Sequence, residues 1–264
     1  MIPENFIEQW RAEAPWQTLA MVEQDLVISR ALVDLYNQPD IQTTLVFRGG
    51  TALNKLYLQP PSRYSEDIDL VQIKAGPIGK TIDAIQKVLN PWLGQPKRKL
   101  TERSAKLIYR YQSVDNTQAR LKIEINTTEH FNVHDLKYID YSVNSEWFQG
   151  KTSIYTYELD ELIGTKLRAL YQRRKGRDLF DLWIILNHKD LTPTRVVNNF
   201  LKYMSHSNLN ITRAQFEMNL AEKMANLEFG RDIEPLLTPD TDWEINQALT
   251  VIQEKLITLL PGDL

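Results

Sequence analysis

Asp67 and Asp69 lie two residues apart in the run Asp67-Ile68-Asp69-Leu70. Strand side chains alternate between faces, so both carboxylates project to one side and Ile68 and Leu70 to the other. Two carboxylates with Cα atoms about 7 Å apart repel each other, and a divalent cation between them makes the arrangement favourable. Glu124, flanked by Ile123 and Ile125, projects from a strand in the same way. If its strand lies beside residues 67–73, three carboxylates converge to hold Mg2+ or Mn2+, and two metals could activate a hydroxyl and stabilise a leaving pyrophosphate. Upstream, Gly49-Gly50-Thr51 falls between a predicted strand and helix. Glycine lets backbone approach an anion closely, and the helix N-terminus offers unsatisfied N–H donors to a phosphate.

Composition narrows the chemistry. The chain has 264 residues, 42% apolar and 25% charged, enough for one large domain or two modest ones. It contains no cysteine, which excludes disulfides, thiolate catalysis and iron–sulfur clusters, and only four histidines. Hard cations on carboxylate oxygens are the metals that remain. The net charge of −3 hides clustering. Residues 97–122 carry eight bases and two acids, and residues 166–177 carry six bases and no acid. A near-neutral total therefore does not argue against a nucleic-acid substrate. Neither a secretory leader nor an apolar run near the ~20 residues of a membrane span is visible, so a soluble cytoplasmic protein is expected.

The elements that position these groups follow from periodicity. Residues 6–36 read as two helices separated near Pro15, and 43–47 as a short buried strand. A turn over 48–51 leads to a helix over 52–58, a strand over 67–73 and a helix over 78–89. Residues 105–111 and 119–126 read as an antiparallel hairpin, 131–147 as irregular or weakly extended, and 152–157 as a last strand. Helical stripes begin at Leu159 and Leu179, and three further helices are expected over 192–204, 212–227 and 241–260. The fold class is α+β: a mixed sheet flanked by helices over 1–157, then a helical module over 158–264 that contributes to the active-site cleft.

Lys166 falls on or beside the apolar stripe of its helix, so it must snorkel or meet an anion, either a phosphate or a neighbouring carboxylate. Asp178 and Asp181 share a helix face, and each has an arginine four residues upstream, Arg174 and Arg177, that could pair with it. Arg48 and Arg63 flank the glycine turn and could contact nucleotide or form ordinary ion pairs. Tyr109 and Tyr111 interleave with the first basic cluster, a pattern that could hold RNA by stacking and phosphate contacts or belong to any half-wet strand. His130 and His134 have a zinc-like spacing, but no helix and no third ligand accompany them.

Gly49-Gly50-Thr51 followed by Ser65-Glu66-Asp67-Ile68-Asp69-Leu70 resembles the first motif of DNA polymerase β-like nucleotidyltransferases, a Gly-Gly or Gly-Ser preceding a paired acid. Thr51 in place of serine and the long gap to Asp67 resemble one branch, the AbiEii/AbiGii-type toxins of toxin–antitoxin and phage-defence systems. Leu121-Lys122-Ile123-Glu124-Ile125, Glu161 to Leu170 and Arg173 to Leu182 resemble later motifs of that branch, over about residues 20–187 in all. The resemblance implies a polymerase β-like sheet and transfer of a nucleoside monophosphate from an NTP to an acceptor hydroxyl. It implies metal at Asp67, Asp69 and Glu124, nucleotide at Gly49, Gly50, Thr51 and Ser65, and triphosphate at Lys166. It also implies an essential aspartate, Asp178 or Asp181. The acceptor it suggests is the 3′ end of tRNA, with a separately encoded antitoxin as partner. A small-molecule antibiotic or protein side chain as acceptor, and a non-catalytic nucleotide-binding module, are the alternatives.

Overall fold

In the computed structural model, residues 2–238 and 240–262 are described, and the chain divides into two compact units between Tyr157 and Glu158. The first unit opens with α1 (Glu4–Trp10), α2 (Leu19–Tyr36) and α3 (Pro39–Gln42). β1 (Leu45–Arg48) runs directly into α4 (Gly49–Leu56), followed by β2 (Asp67–Gln72) and α5 (Gly79–Leu93). β3 (Lys97–Leu100), β4 (Ser104–Gln112), β5 (Gln118–Asn126), β6 (Lys137–Asn144) and β7 (Gln149–Thr156) complete it. Among the described residues these strands form one mixed sheet in the order β3-β4-β5-β2-β1-β7-β6. β2 pairs antiparallel with β1 and parallel with β5, at the middle of the sheet.

The sequence explains why β2 sits there. Ile68 and Leu70 are buried, as are Leu121, Ile123 and Ile125 of β5 and Ala105, Leu107 and Tyr109 of β4. These residues share one face, and the Tyr109 hydroxyl is hydrogen-bonded with the Asn90 side chain of α5 while Tyr111 donates to Gln24 of α2. That face is therefore the one covered by helices. Its opposite carries Asp67, Asp69, Lys122 and Glu124, none fully buried.

α2 is buried almost all round, including Glu23, Gln24 and Asp25. Thr18 caps its start by accepting from the Met21 N–H. Gln24 Nε2 donates to the carbonyls of Glu66 and Arg120, and so ties the chain entering β2 to β5. Asp25 accepts from the indole N–H groups of Trp10 and Trp16 at 2.9 and 3.2 Å and from Lys55 Nζ at 2.6 Å. One carboxylate thus joins α1, α2 and the end of α4.

The second unit contains α6 (Leu159–Gln172), α7 (Gly176–His188), α8 (Pro193–His206), α9 (Arg213–Met224), α10 (Leu227–Arg231) and α11 (Ile245–Lys255). α6 packs closely on α8 at Gly164, where a Cβ would stand 2.7 Å from that of Asn199.

The α+β class stands. The hairpin of β4 and β5 forms in antiparallel register around Asn116, which takes a positive φ of 63°. Several details differ from expectation. The helix after β1 begins at Gly49, so the 48–51 turn is the helix start itself. β3 is an additional strand, and β6 makes a regular strand of the stretch read as irregular or weakly extended. α11 begins at Ile245, later than the expected 241.

Replacing Asp25 by Ala should destabilise the protein by about 3–5 kcal/mol, because it strands a buried ammonium and two indole N–H groups. Urea unfolding followed by tryptophan fluorescence would measure this, and a loss under about 1 kcal/mol would show that the hub carries little.

Candidate functional site

Strand register sets the site. Arg48 of β1, Asp69 of β2, Glu124 of β5, Lys106 of β4 and Lys99 of β3 are successive Cα partners across the sheet. One row over, Asp67 pairs with Lys122 and Lys122 with Ile108. The expected placement of the 124 strand beside the 67–69 strand is the one observed. Asp67, Asp69 and Glu124 share a sheet face, with Asp69 and Glu124 directly opposite.

The carboxylates are not gathered into one ligand set. Asp67 Oδ2 is 2.6 Å from Lys122 Nζ, and Glu124 lies 3.6 Å from Lys122 and 2.8 Å from Lys106. Among the described residues no three Asp, Glu or His side chains stand close enough to hold a metal as they are. The physical reason is local: lysines at partner positions on β4 and β5 neutralise two of the acids. Lys122 occupies the space between Asp67 and Glu124 as an internal cation. Among the described residues, no hydrogen bond or ion pair reaches the Asp69 carboxylate. Burial raises the pKa of Asp69, with Arg48 opposing and Asp67 reinforcing. Burial likewise raises Asp67, against the pull of Lys122.

The glycine turn abuts these acids. Gly49 adopts φ +82°, and a Cβ there would lie 2.5 Å from Asp69 Oδ2. Arg48, the residue before α4, pairs with Glu129 at 2.9 Å. At Gly50 a Cβ would collide with the Arg63 guanidinium. Arg63 is buried, donates to the Tyr64 carbonyl at 2.9 Å and forms a wall of the turn rather than a surface contact. Thr51 is buried, and its hydroxyl is shared with Ser65 Oγ at 2.7 Å and donated to the Asp67 carbonyl. Thr51 and Ser65 thus brace the turn against the start of β2. The turn can meet an anion with backbone N–H groups at the N-terminus of α4.

The second unit holds a different cluster. Asp178 and Asp181 are fully buried on α7. Lys166 Nζ, on α6, lies 3.2 Å from Asp178 and 2.8 Å from Asp181. Arg173 grips Asp178 with Nε and Nη2 at 2.7 and 2.8 Å, the bidentate geometry that guanidinium favours. Lys166 thus stands between two neighbouring carboxylates. Both acids pair with these cations rather than with Arg174 and Arg177 upstream. Burial alone would raise the Asp178 pKa, but Lys166 and Arg173 outweigh it and hold the group below the ordinary range.

Two further expectations resolve. Tyr109 and Tyr111 point to the helix-covered face, so they offer nothing to stack a base on; their parity with Leu107 already carried that information. His130 hydrogen-bonds the Gln72 carbonyl at 2.7 Å through Nδ1, an end-of-strand role. Lys106, Lys122 and Arg173 are the site residues whose partnerships the sequence did not disclose. Lys122 shares parity with Glu124, whereas the Lys106 contact depends on the hairpin register.

Against models of protein families, residues 30–251 match the nucleotidyl transferase AbiEii toxin of type IV toxin–antitoxin systems. Among solved structures, the chain is similar to MenT4, a nucleotidyltransferase toxin of Mycobacterium tuberculosis. That likeness has TM-score 0.64 and 15% identity, covering 100% of this chain and 91% of that one. It is also similar to JHP933 of Helicobacter pylori, with TM-score 0.55 and 15% identity over 90% of this chain and 91% of that one. At such identities the likeness establishes the fold. No curated protein matches the chain.

Gly49→Ala should cost about 1–2 kcal/mol in backbone strain and displace Asp69; equilibrium unfolding would show this, and a neutral result would mean the turn relaxes freely. Asp178→Asn should remove stability that is present above an aspartate's ordinary ~3.9 and is lost as pH falls through the lowered folded value. Unfolding of both proteins across that range would show the gap closing in acid; a pH-independent gap would contradict it.

Proposed function

The chain belongs to the nucleotidyl transferase AbiEii toxin family, and from that premise we propose that it moves a nucleoside monophosphate from an NTP onto the 3′ hydroxyl of a tRNA, as the toxin partner of a cognate antitoxin. The observation that carries the reading is the pairing of an Asp67–Asp69 face with a glycine turn at a helix N-terminus, Gly49 packed on Asp69 itself.

The donor set suits a divalent metal. Hard carboxylate oxygens stand on one face, Asp69 has no cationic partner within bonding reach, and Lys122 already places positive charge between Asp67 and Glu124. Mg2+ needs only one or two carboxylates when substrate phosphates supply the rest, so Asp67 and Asp69 are assigned as its holders, with Glu124 beside them. Bound there, the metal would supply Lewis acidity to the phosphates and to the attacking hydroxyl.

The chain's own groups do the remaining work. Gly49 and Gly50 offer backbone N–H groups to phosphate oxygens, while Thr51 and Ser65 keep the turn seated. Arg63 fixes the shape of the turn at Gly50, and Arg48 adds positive potential beside Asp69. Glu124, across from Asp69, accepts the proton of the acceptor hydroxyl. In the second unit, Lys166 is enclosed by two carboxylates, and Arg173 is the half-exposed cation of the cluster. Lys166, Arg173, Asp178 and Asp181 are assigned together as a buried charge cluster that orders α6 and α7 of that unit.

Incubation with labelled NTPs, Mg2+ and total RNA should label tRNA, and EDTA should abolish the label. Asp69→Ala should lower incorporation at least about 10²-fold. Label in a small-molecule or protein acceptor instead, no label with any NTP, or an undiminished Asp69→Ala variant would each refute the reading. Protons compete with the metal for these carboxylates, so Mn2+ affinity should weaken as pH falls, and the acid midpoint of binding should move lower as Mn2+ concentration rises. An affinity that does not change with pH, or one undiminished in Asp69→Ala, would remove these aspartates as the ligands.

A further inference from the structure

The face of the sheet that bears the carboxylates also bears a field of cations. Strand alternation places Lys97 and Lys99 of β3, Lys106 and Arg110 of β4, and Arg120 and Lys122 of β5 on this one side. Lys106 and Lys122 are engaged by Glu124 and Asp67. Lys97, Lys99, Arg110 and Arg120 are exposed, and among the described residues none of these four forms an ion pair.

Their arrangement works against the sheet. Arg110 stands directly opposite Arg120, and Lys99 directly opposite Lys106. Like charges at opposed positions destabilise a ladder. Glu124 already offsets Lys106, so Arg110–Arg120 is the uncompensated pair, and an anion lying over this face would relieve it. The helix-covered face of the same strands has no such pairs.

We propose that this face, from β5 outward to β3, is the track on which the phosphodiester backbone of the acceptor RNA lies, leading its terminal hydroxyl to Asp67 and Asp69. The proposal rests on the reading that RNA is the acceptor. Three strand spacings separate β2 from β3, about 14 Å. A stacked strand rising ~3.4 Å per nucleotide lays about four phosphates over that width. The four unpaired cations match that number of charges. The carboxylates sit at the inner end of the track and would repel a polyanion crossing them, so the strand stops where its hydroxyl reaches the acids. Tyr109 and Tyr111 face away, so binding rests on charge alone and is indifferent to base identity along the track.

Binding of deacylated total tRNA, followed by fluorescence anisotropy over a salt series, tests this. In the Arg110→Gln/Arg120→Gln protein, affinity at physiological salt should fall about tenfold, and the log–log salt slope should shrink by about 1.4–1.8, or 0.7–0.9 per cation removed. Lys80→Gln/Lys87→Gln on α5 makes the same change in net charge on the other side of the sheet and should leave affinity within about twofold. Melting temperature should not fall in either protein, since the first relieves a like-charge pair and both change only exposed side chains. Equal losses in the two variants would reduce the effect to net charge and overturn the track. Unchanged tRNA affinity in the Arg110/Arg120 variant would overturn it too, as would selective loss of binding to an acidic antitoxin, which would mark the face as a protein surface. If the wild-type protein itself neither binds nor labels RNA, the acceptor reading has failed, and this is visible before any variant is made.

Discussion

One residue of slip in β2 would carry Asp67 and Asp69 into the core and Ile68 and Leu70 into water. Everything else at the site depends on that slip not occurring. Two constraints prevent it. The apolar face of β2 is buried beneath the helices, and Gln24 holds Glu66 and Arg120 by their carbonyls, so the entry to β2 cannot move relative to β5. Once register is fixed, Asp69 must stand between Arg48 and Glu124, and the start of α4 must fall beside it. The site is thus a consequence of core packing on the opposite side of the same strands.

Clustered acids are tolerated because the fold supplies its own counterions. Lys122 and Lys106 neutralise Asp67 and Glu124, and in the other unit Lys166 and Arg173 do the same for Asp178 and Asp181. The two clusters differ in depth. The first is half-exposed and exchangeable with solvent. In the second both aspartates are fully buried, and removing one partner from such a set is far costlier than from an exposed pair. The sheet cluster is therefore built to change its cations and the helical one to keep them.

Period-two alternation made β2 and the β4–β5 hairpin legible, and with them the common face of Asp67 and Asp69. It was silent on β3, whose four residues Lys-Arg-Lys-Leu are all exposed and carry no alternation. β6 was obscured because it is an edge strand in which only Val143 is fully buried. Contacts across several strands were beyond a one-dimensional reading. The Lys106–Glu124 pair needs the hairpin register, and the Lys166–Asp181 pair joins two helices fifteen positions apart, while the nearer arginines at 174 and 177 offered pairs that do not form. Tyr109 and Tyr111 were grouped with their basic neighbours by proximity, although their parity with Leu107 placed them on the buried side.

β3 ends the sheet, and its outer edge has no partner strand among the described residues. An open edge invites a strand from another molecule, and short, lysine-rich edges are how soluble proteins discourage it. Lys97 and Lys99 supply such a guard here. Discharging them, whether by substitution or by a tightly bound polyanion, would loosen it, so the protein's solubility and its load of bound anion would be coupled through these two side chains.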